Sequence, residues 1–488
     1  MSDFWGRIEK KWRSEDFGER SEDGFNLNGG TKMLVVEDQE EQPLMRGITG
    51  SRKNLILMKK AKAKAMKNVN ETIMIFTYGR PLENANKVLM NKFNLANLDV
   101  STFCSWAAGL YKQVFGESHI LITDIDQLKL IKHSIESLKE THQFTINMER
   151  IDLLLEEFAL IKRMGIQTMS EYTKMIRKWK GTETLVAYEY KQAIFEIFVN
   201  YENSKVLNKL YDYDDLAYRL LECKNYITSD MKFDHIFVHD SEDLQVSEIL
   251  LLKECARKTI MISGDKSQKI YNTTFSWNAL GLDVHEKRMK IINKPYQSTR
   301  QIIELAVSLR ENDGISQAEE DYVRPMFPNR QGMKPVLRKF ETRQMQDEAV
   351  IEIIEIILEN APEATIGVLC RDSIRRDAAL FRLGDALKRK GIDFMNIHGE
   401  EEVNPFTPGV KFSTFHTAKG LEFHFVLIVD LNDSLLSLSE DEANDYWNRE
   451  RRLLYIAITR ARNALYMFAH GNENRLLREI DSTLYDVK

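Results

Sequence analysis

Short apolar runs alternate with amphipathic stretches along most of the chain. TIMIFTY (72–78) is rich in β-branched and aromatic residues and predicts a buried strand. FDHIFVHDSED (233–243) contains a second apolar run that ends in acidic residues, and KTIMISGDKSQ (258–268) predicts a third strand followed by a glycine turn. Similar runs between residues 364 and 470 are ATIGVLC, VKFSTFH, HFVLIVDL and ALYMFAH. Helical periodicity separates the runs, and polar residues follow several of them. This alternation is typical of parallel α/β sheets, whose ligands bind at the carboxyl ends of the strands.

The stretch from Leu121 to about Leu221 has a different pattern. Its segments DQLKLIKHSIESLKE, MERIDLLLEEFALIKRMG and YEYKQAIFEIFVNYEN carry apolar residues at helical spacing with charges between them. No strand pattern interrupts this region before Phe233. We therefore expect an all-helical insertion between two halves of one sheet, followed by a second α/β domain. The segment from Glu311 to Gly332 is expected to be a linker or surface loop.

Composition narrows the class of protein. A chain of 488 residues is too long for one ordinary core, and indicates roughly two to four domains. The apolar fraction of 43% and the charged fraction of 29% are typical of a soluble globular protein. No apolar run approaches the ~18–20 residues of a membrane span, and the N-terminus lacks a signal-peptide core. We expect a cytoplasmic location, reduced cysteines and no membrane partner.

Charge is unevenly distributed along the chain. The net charge of −6 argues against a surface that binds nucleic acid everywhere. From Ser51 to Asn70, however, the chain has no acidic residue. This stretch contains the basic residues Arg52, Lys53, Lys59, Lys60, Lys62, Lys64 and Lys67. Two interpretations stay open, namely focused binding of a polyanion and a solvated helix face.

The segment GITGSRKN, Gly47 to Asn54, is close to the phosphate-binding pattern G-x-x-x-x-G-K-S/T. Gly47 and Lys53 occupy their expected positions. Arg52 stands where the pattern has its second glycine, and Asn54 stands where it has the magnesium-binding hydroxyl. The segment therefore indicates a P-loop in which two of the defining positions have changed.

Several further motifs follow this segment in a fixed order. IMIFTYGRPLENA, STFCSWA and FVHDSEDLQ lie in the first half of the chain, and GDKSQKIYNTTFSW and PYQSTRQIIELA lie in the middle. FSTFHTAKGLEFHFV and RRLLYIAITRARNAL follow near the end. Together they resemble motifs Ia to VI of the UvrD/Rep-like superfamily 1 helicases, from about Pro43 to Tyr466. The last two are the most specific, since each matches over more than ten positions.

The resemblance implies an α/β fold with two RecA-like parallel-sheet domains, ATP between them and single-stranded DNA across their tops. On this template the first domain covers 1–110 and 222–295, and the helical insertion covers 111–221. The second domain covers 296–488. The interval from Gln301 to Val410 leaves little room for the large accessory domain that relatives often carry there, so that domain is expected to be missing or minimal.

The resemblance also carries functional roles onto this chain. Asp240 and Arg460 are the implied catalytic residues, with Arg460 as an arginine finger. Gln268 resembles a γ-phosphate sensor, Tyr296 an adenine-stacking residue and Glu422 a ribose contact. The implied nucleotide-binding residues are Gly47, Gly50, Lys53, Gln268, Tyr296, Glu422 and Arg460. The implied DNA-binding residues are Thr77, Tyr78, Thr102, Phe103, Trp277, His416 and Lys419.

Departures from the family pattern cluster at the motif positions that bind the metal and the γ-phosphate in the family. Aligning FVHDSED on F-V-D-E-A-Q-D puts His239 at the magnesium-side aspartate and Asp240 at the glutamate that activates water. A shifted register would make Asp240 the metal ligand and Ser241 the base, which is no better. Gln297 replaces an arginine of motif IV, and Cys104 replaces a histidine of the T-F-H-S block. Magnesium prefers oxygen ligands, so magnesium binding is doubtful, whereas ATP binding stays open.

Two functions follow from this pattern. The first is a pseudo-helicase that binds DNA, single-stranded or at junctions, with impaired or absent ATP hydrolysis. Such a protein acts as a regulatory or scaffold subunit, with a nuclease as one candidate partner. The alternative is a slow but active ATP-dependent helicase or translocase of 3′ to 5′ polarity. Random decay would not select one corner of a site, and this favours the first function. A pure protein-interaction module is a third class, and it requires the DNA-binding residues to be incidental.

Overall fold

The computed structural model describes residues 44–47, 51, 53–77, 79–116, 119–138, 151–174, 188–264, 289–292, 297–311, 326–371, 379–397, 404–432 and 440–488. The predictions for Gly50, Arg52, Tyr78, Gln268, Trp277 and Tyr296 lie outside the described residues.

The strands of the described chain belong to two large sheets and one small one. They are β1 (Leu44–Gly47), β2 (Ile73–Thr77), β3 (Leu98–Thr102), β4 (Ile120–Leu121), β5 (Leu210–Tyr211), β6 (Phe233–Val238), β7 (Ala256–Gly264), β8 (Met289–Ile292), β9 (Val336–Phe340), β10 (Thr365–Cys370), β11 (Phe394–Asn396), β12 (Gly409–Thr414), β13 (Phe423–Ile428), β14 (Ala461–His470) and β15 (Asp486–Val487).

The α-helices lie between these strands, as expected for parallel sheets with crossover connections. They are α1 (Lys53–Lys67), α2 (Arg80–Asn91), α3 (Phe103–Phe115), α4 (Asp124–Leu138), α5 (Ile151–Arg163), α6 (Met169–Lys174), α7 (Tyr188–Leu207), α8 (Asp215–Glu222), α9 (Val246–Cys255), α10 (Arg300–Glu311), α11 (Arg343–Asn360), α12 (Ala379–Arg389) and α13 (Glu440–Thr459).

The first sheet has the strand order β3-β2-β6-β7-β1-β8, and its described pairs are parallel. We call this sheet and the helices packed on it the first lobe. Every residue of β2 is buried, which explains why its sequence is a continuous apolar run without alternation. The strands predicted within 72–78, 233–243 and 258–268 are confirmed as β2, β6 and β7.

The second sheet has the order β11-β12-β10-β13-β14-β9-β15, again with parallel pairs. We call this sheet and its helices the second lobe. The four runs predicted between residues 364 and 470 are confirmed as β10, β12, β13 and β14. The outer strands β11 and β15 were not predicted, because segments of 3 and 2 residues have no readable period.

Helices α4 to α7 form the predicted insertion and have their own core, which contains Phe158, Phe198 and Tyr201. The expectation that no strand interrupts the region is wrong, because β4 and β5 pair with each other in parallel at its base. Helix α8, assigned to the insertion from the sequence, packs Leu216 and Leu220 into the core of the first lobe. The exact domain boundaries stay a prediction.

The two lobes meet through an apolar contact. Leu82 belongs to α2 of the first lobe, but it is buried in the core of the second lobe with Phe415, Ala418 and Leu421. This contact brings the carboxyl ends of β2 and β6 next to the segment that follows β12. Among the helices that the structure describes, none has the length and apolar character needed to cross a membrane.

Candidate nucleotide corner and interlobe cleft

The P-loop segment connects β1 to α1, as the sequence predicts. The ammonium of Lys53 is buried and donates a hydrogen bond of 2.7 Å to the backbone carbonyl of Gly47. A Cβ at Gly47 would lie 2.7 Å from Ser51 Oγ and 2.8 Å from Lys53 Cδ. A larger residue at position 47 would displace the side chains of Ser51 and Lys53, so their packing favours glycine there.

Two further polar atoms of this segment are enclosed. Ser51 Oγ and Asn54 Oδ1 are buried and have no hydrogen-bond partner among the described residues. An amide oxygen is one of the oxygen donors that hard cations accept, but it carries no charge and extends further from the backbone than a serine or threonine hydroxyl. Asn54 thus offers neither a hydroxyl nor a negative charge at this position.

His239 follows the end of β6 and is enclosed between the lobes. Its side chain is only 4% exposed, and its backbone N–H donates to the Phe76 carbonyl at 2.8 Å. Burial holds the pKa of the imidazole well below its usual value, and the positive charges of Lys53, Lys419 and Arg460 lower it further. The ring is therefore neutral at physiological pH, in a place that three cations share.

Asp240 is the next residue and has a left-handed backbone, with φ of 50° and ψ of 53°. Its Oδ2 lies 3.3 Å from His239 Nδ1, but Nδ1 has no hydrogen-bond partner among the described residues. The carboxylate therefore lies beside the imidazole without fixing its tautomer. We call Gly47, Lys53, Asn54, His239, Asp240 and Arg460 the nucleotide corner.

Arg460 lies on the second-lobe side of this corner, directly after α13. Its guanidinium is buried and donates to the carbonyls of Ile456 at 3.0 Å and Leu421 at 3.3 Å. A third hydrogen bond of 3.1 Å goes to Thr459 Oγ1. These bonds fix the arginine against its own lobe, while its charge still acts on His239.

Lys419 and Glu242 form an ion pair between the lobes. Their Nζ and Oε1 atoms are 3.0 Å apart, and the two side chains are 0% and 1% exposed. Lys419 was predicted to bind DNA, but in this conformation its ammonium is enclosed. The prediction for Lys419 stays open. Its partner Glu242 was missed, because Glu242 and Lys419 lie in motifs that are distant in sequence.

The other predicted nucleotide-binding positions are only partly described. Glu422 is half-buried and follows Leu421 just before β13. Gln297 is half-buried, and its backbone carbonyl accepts a hydrogen bond of 2.9 Å from Arg330. Arg330 also donates 3.0 Å to the Arg462 carbonyl, so it ties motif IV to motif VI. The sequence analysis did not single out Arg330, because it lies in the segment interpreted as a loop.

A cleft of about 680 Å³ lies between the lobes and reaches the nucleotide corner. Four of the predicted DNA-binding residues line it, namely Thr77, Thr102, Phe103 and His416. We call it the interlobe cleft. Its remaining lining residues are Phe76, Gly79, Arg80, Pro81, Cys104, Ser105, Ala108, Tyr211, Tyr213, Val238, His239, Asp240, Leu244, Gln245, Glu248, Ile397 and Thr417.

The four predicted residues contribute differently to this cleft. Thr102 Oγ1 accepts a hydrogen bond from the Ser105 N–H and so caps α3. Phe103 is buried and contacts Trp106 edge to face, with ring centroids 5.9 Å apart, so most of its ring belongs to the core. His416 is half-buried, and burial lowers its pKa to about 4. Its ring is therefore neutral at physiological pH.

Tyr213 is the aromatic residue that sequence analysis missed. It lines the interlobe cleft and is 67% exposed, so its ring is available to a ligand. Neighbouring Tyr211 stacks on Tyr111, with centroids 5.2 Å apart. Both tyrosines lie in the segment YDYDD, whose acidic residues by themselves predict only the capped start of a helix. Their alternation with acidic residues was the available signal.

The acidic residues of that segment form an ionic cluster. The N–H of Asp215, the first residue of α8, donates to Asp212 Oδ1 at 3.0 Å, so Asp212 satisfies one of the free N–H groups at the start of this helix. Asp215 also accepts from Lys205 at 2.6 Å and from Lys162 at 3.1 Å. Oxygens of Glu202, Asp212 and Asp215 approach one another closely enough for a metal. The two lysine ammonium groups already provide positive charge there.

The two parallel sheets, the P-loop segment and the shared cleft are those of a P-loop NTPase with two RecA-like domains. Residues 47–276 match the family model of the UvrD/REP helicase N-terminal domain. Residues 396–472 match that of the UvrD-like helicase C-terminal domain. The chain belongs to the UvrD-like helicase family.

Individual relatives are distant in sequence. The chain is 25% identical over 279 residues to a DNA helicase II homolog of Mycoplasma capricolum, covering 53% of this chain and 36% of that protein. It is 21% identical over 345 residues to an ATP-dependent DNA helicase of Acanthamoeba polyphaga mimivirus, covering 61% and 48%. A 92-residue segment is 37% identical to the ATP-dependent DNA helicase PcrA of Staphylococcus epidermidis, covering 16% and 13%. The chain thus spans less than half of the length of these relatives.

Proposed function

We propose that this protein is a DNA-binding member of the helicase family that has lost efficient ATP hydrolysis. One observation carries the proposal: the position that the family pattern gives to a magnesium-side aspartate is His239, a buried and neutral imidazole. The proposal extends to a regulatory or scaffold role beside another DNA enzyme, such as a nuclease.

The residues of the nucleotide corner do not fit a magnesium ion. Magnesium requires nearly octahedral oxygen ligands and is usually held by one or two carboxylates together with phosphates and water. His239 supplies nitrogen, and Asn54 supplies an uncharged amide oxygen. The positive charges of Lys53 and Arg460 act on the same imidazole, and they oppose a divalent cation placed there.

The base that activates water is also compromised. Asp240 is one methylene shorter than the glutamate of the family pattern, and its left-handed backbone directs it toward His239 and Gly420. A displacement of about 1 Å is enough to cost roughly 10²-fold in rate. Loss of general-base catalysis alone typically costs about 10²- to 10⁴-fold.

The interlobe cleft supports binding of a single strand. A single-strand site combines groups that bind the phosphate backbone with aromatic rings on which bases stack. Arg80 and Tyr213 are exposed residues of the cleft that supply a cation and a ring. Thr77 and Thr102 line the same cleft and offer hydroxyls.

The alternative, a slow ATP-dependent translocase, is favoured by one observation. Lys53 and Arg460 are both retained, and the charges of both act on the same histidine. A nucleotide phosphate at that point would meet a lysine and an arginine from opposite lobes, which is the arrangement that phosphoryl transfer uses.

The proposal is tested by measuring DNA binding and ATP turnover on one preparation. Fluorescence anisotropy with a labelled single strand should give saturable binding that weakens as salt rises, because phosphate contacts release counterions. ATP turnover at saturating DNA should stay at background. Lys53→Ala, purified in the same way, is the control for contaminating helicases, since it should have the same turnover as the unmodified protein.

Brisk turnover that requires both DNA and Lys53 would replace the proposal by the translocase alternative. Absence of salt-dependent DNA binding would contradict both the proposed function and the translocase alternative. In that case the pure protein-interaction module becomes the better explanation of the fold.

A further inference from the structure

The contact between the lobes contains an ion pair that the protein encloses completely. Glu242 lies in the turn after β6 of the first lobe, and Lys419 lies after β12 of the second lobe. Their charged atoms are 3.0 Å apart, with side-chain exposures of 1% and 0%. Charges buried to this extent interact strongly with each other, and removing one partner leaves the other without compensation.

The sequence explains why the pair exists in this chain. In the alignment of FVHDSED on F-V-D-E-A-Q-D, Glu242 occupies the position of a glutamine. A glutamine can hydrogen-bond to a lysine but carries no charge. The substitution therefore adds a negative charge opposite Lys419.

Close packing surrounds the ion pair, between the lobes at Gly420 and within the first lobe at Gly264. Gly420 has φ of +78°, and a Cβ there would lie 2.6 Å from Leu82 Cδ2 and 3.4 Å from Asp240 Oδ2. On the other side, a Cβ at Gly264 would lie 2.7 Å from Ser241 Oγ and 3.2 Å from Glu242 Oε2. Each glycine allows a neighbouring strand end to approach without a side chain between them.

We propose that Glu242, Lys419 and Leu82 form a latch that holds the two lobes together without nucleotide and so keeps the interlobe cleft preformed. A ligand shifts a conformational equilibrium only by the difference in its affinity for the two states. If the closed state of the two lobes already dominates, nucleotide binding changes the populations of the open and closed states only slightly. The consequence for DNA rests on the proposed function, whereas the latch itself does not.

The latch is tested by hydrogen exchange on the full chain, in the absence of nucleotide and DNA. The two segments to follow are 239–244 and 416–421, which carry the partners on opposite lobes. Glu242→Gln restores the family residue with almost the same shape and removes one charge. We expect exchange in both segments to accelerate by about tenfold or more, since a buried partner charge loses its compensation.

A matched control comes from an ion pair inside one lobe. Arg451 and Glu479 both belong to the second lobe, and their charged atoms are 2.8 Å apart. Glu479→Gln should accelerate exchange near residues 451 and 479 but should leave segments 239–244 and 416–421 unchanged. Lys419→Met serves as a second latch variant, and circular dichroism checks that each variant is folded.

Three outcomes of exchange decide the proposal. Acceleration in both latch segments with Glu242→Gln and with Lys419→Met, but not with Glu479→Gln, supports it. Unchanged exchange in both segments overturns it. Acceleration confined to the mutated segment also overturns it, because a latch must couple the two lobes.

DNA affinity provides a separate readout of the consequence. In the unmodified protein, ADP or a non-hydrolysable ATP analogue should change the affinity for a single strand by no more than about twofold. In Glu242→Gln the same nucleotides should change the affinity for a single strand by more than this twofold limit. A protein that binds no DNA at all contradicts the proposed function, while the exchange result still decides whether the latch exists.

Discussion

The nucleotide corner and the interlobe cleft are built from the same strand ends, but their polar side chains differ in hydrogen bonding and exposure. In the corner, Lys53 and Arg460 donate to backbone carbonyls of their own lobes. In the cleft, Arg80 and Tyr213 are exposed. His239 and Asp240 belong to both regions, because they line the cleft where it reaches the corner. A small number of residues at the end of β6 therefore separates an enclosed site from an accessible one.

The two regions also differ in which residues of the family pattern they contain. In the alignment with the family pattern, the corner has the neutral imidazole of His239 at an aspartate position and Asn54 at a hydroxyl position, while Lys53 and Arg460 are retained. The cleft keeps hydroxyls, an arginine and an aromatic ring. A protein that only needs to hold a strand requires the second set and not the first.

The largest effect is expected from restoring the family residues at the corner. The variant Arg52→Gly, Asn54→Thr, His239→Asp and Asp240→Glu supplies the hydroxyl, the aspartate and the longer base. DNA-stimulated ATP turnover should rise by about 10²-fold or more, because general-base catalysis is restored. The same variant with Lys53→Ala is the control. No rise would mean that the corner stays closed for a reason beyond these four residues.

A second substitution tests the cleft and should leave the corner unchanged. Tyr213→Ala removes the exposed ring and should weaken single-strand binding by about 1–3 kcal/mol, the usual contribution of base stacking. Tyr226 is 71% exposed and does not line the cleft, so Tyr226→Ala is the matched control. Anisotropy titrations measure both. Equal affinities for the two variants would exclude the cleft as the strand site.

The pH dependence of stability tests the environment of His239. Because its folded pKa is depressed, the ring takes up a proton on unfolding, and stability falls as pH falls below the unfolded value of about 6.5. The free energy of unfolding should drop by about 1.4 kcal/mol per pH unit for this group. His239→Asn should make the decline between pH 6.5 and 5 shallower.

His416 contributes to the same decline, because its pKa is lowered to about 4, and it remains in the variant. The expected result is therefore a reduced slope that does not reach zero. His133 is exposed, so His133→Asn should leave the slope as it is. A slope that is identical in His239→Asn and the unmodified protein would mean that the imidazole of His239 is not enclosed.

The smallest effect distinguishes two roles for Lys419. If its ammonium binds a DNA phosphate, Lys419→Met should reduce the slope of log affinity against log salt by about 0.7 for a single strand. Enclosure with Glu242 predicts an unchanged slope, even if the affinity itself falls. Arg80 is exposed in the cleft, so Arg80→Met should show the reduction that Lys419→Met lacks.

Much of the fold was predictable, because buried parallel strands have sequences that are continuous apolar runs. β2, β6, β7, β10, β12, β13 and β14 were all found in this way. The short strands β4 and β5 were missed, since their pairing is set by the packing of the insertion and two residues have no period. The alternation that restarts near residue 364 predicted a second α/β domain, and motif order predicted the RecA-like arrangement of the two.

The candidate site was less predictable, because its contacts join segments that are distant in sequence. Glu242 and Lys419 lie in different motifs, and only the packing of the lobes pairs them. Motif position also misleads at Phe103. The resemblance implied a DNA contact for this residue, whereas its ring is buried against Trp106. Tyr213 was overlooked because the neighbouring aspartates explained its segment as a helix start.

The central claim is that the nucleotide corner has lost its metal site while its cations remain. Calorimetry of a non-hydrolysable ATP analogue, once with Mg²⁺ and once with EDTA, tests it directly. The account predicts that EDTA does not weaken binding, because the charges of Lys53 and Arg460 act at this corner without a metal and His239 offers no carboxylate to the ion. Binding that is about tenfold or more tighter with Mg²⁺ would contradict it, since that gain requires the protein to ligate the metal.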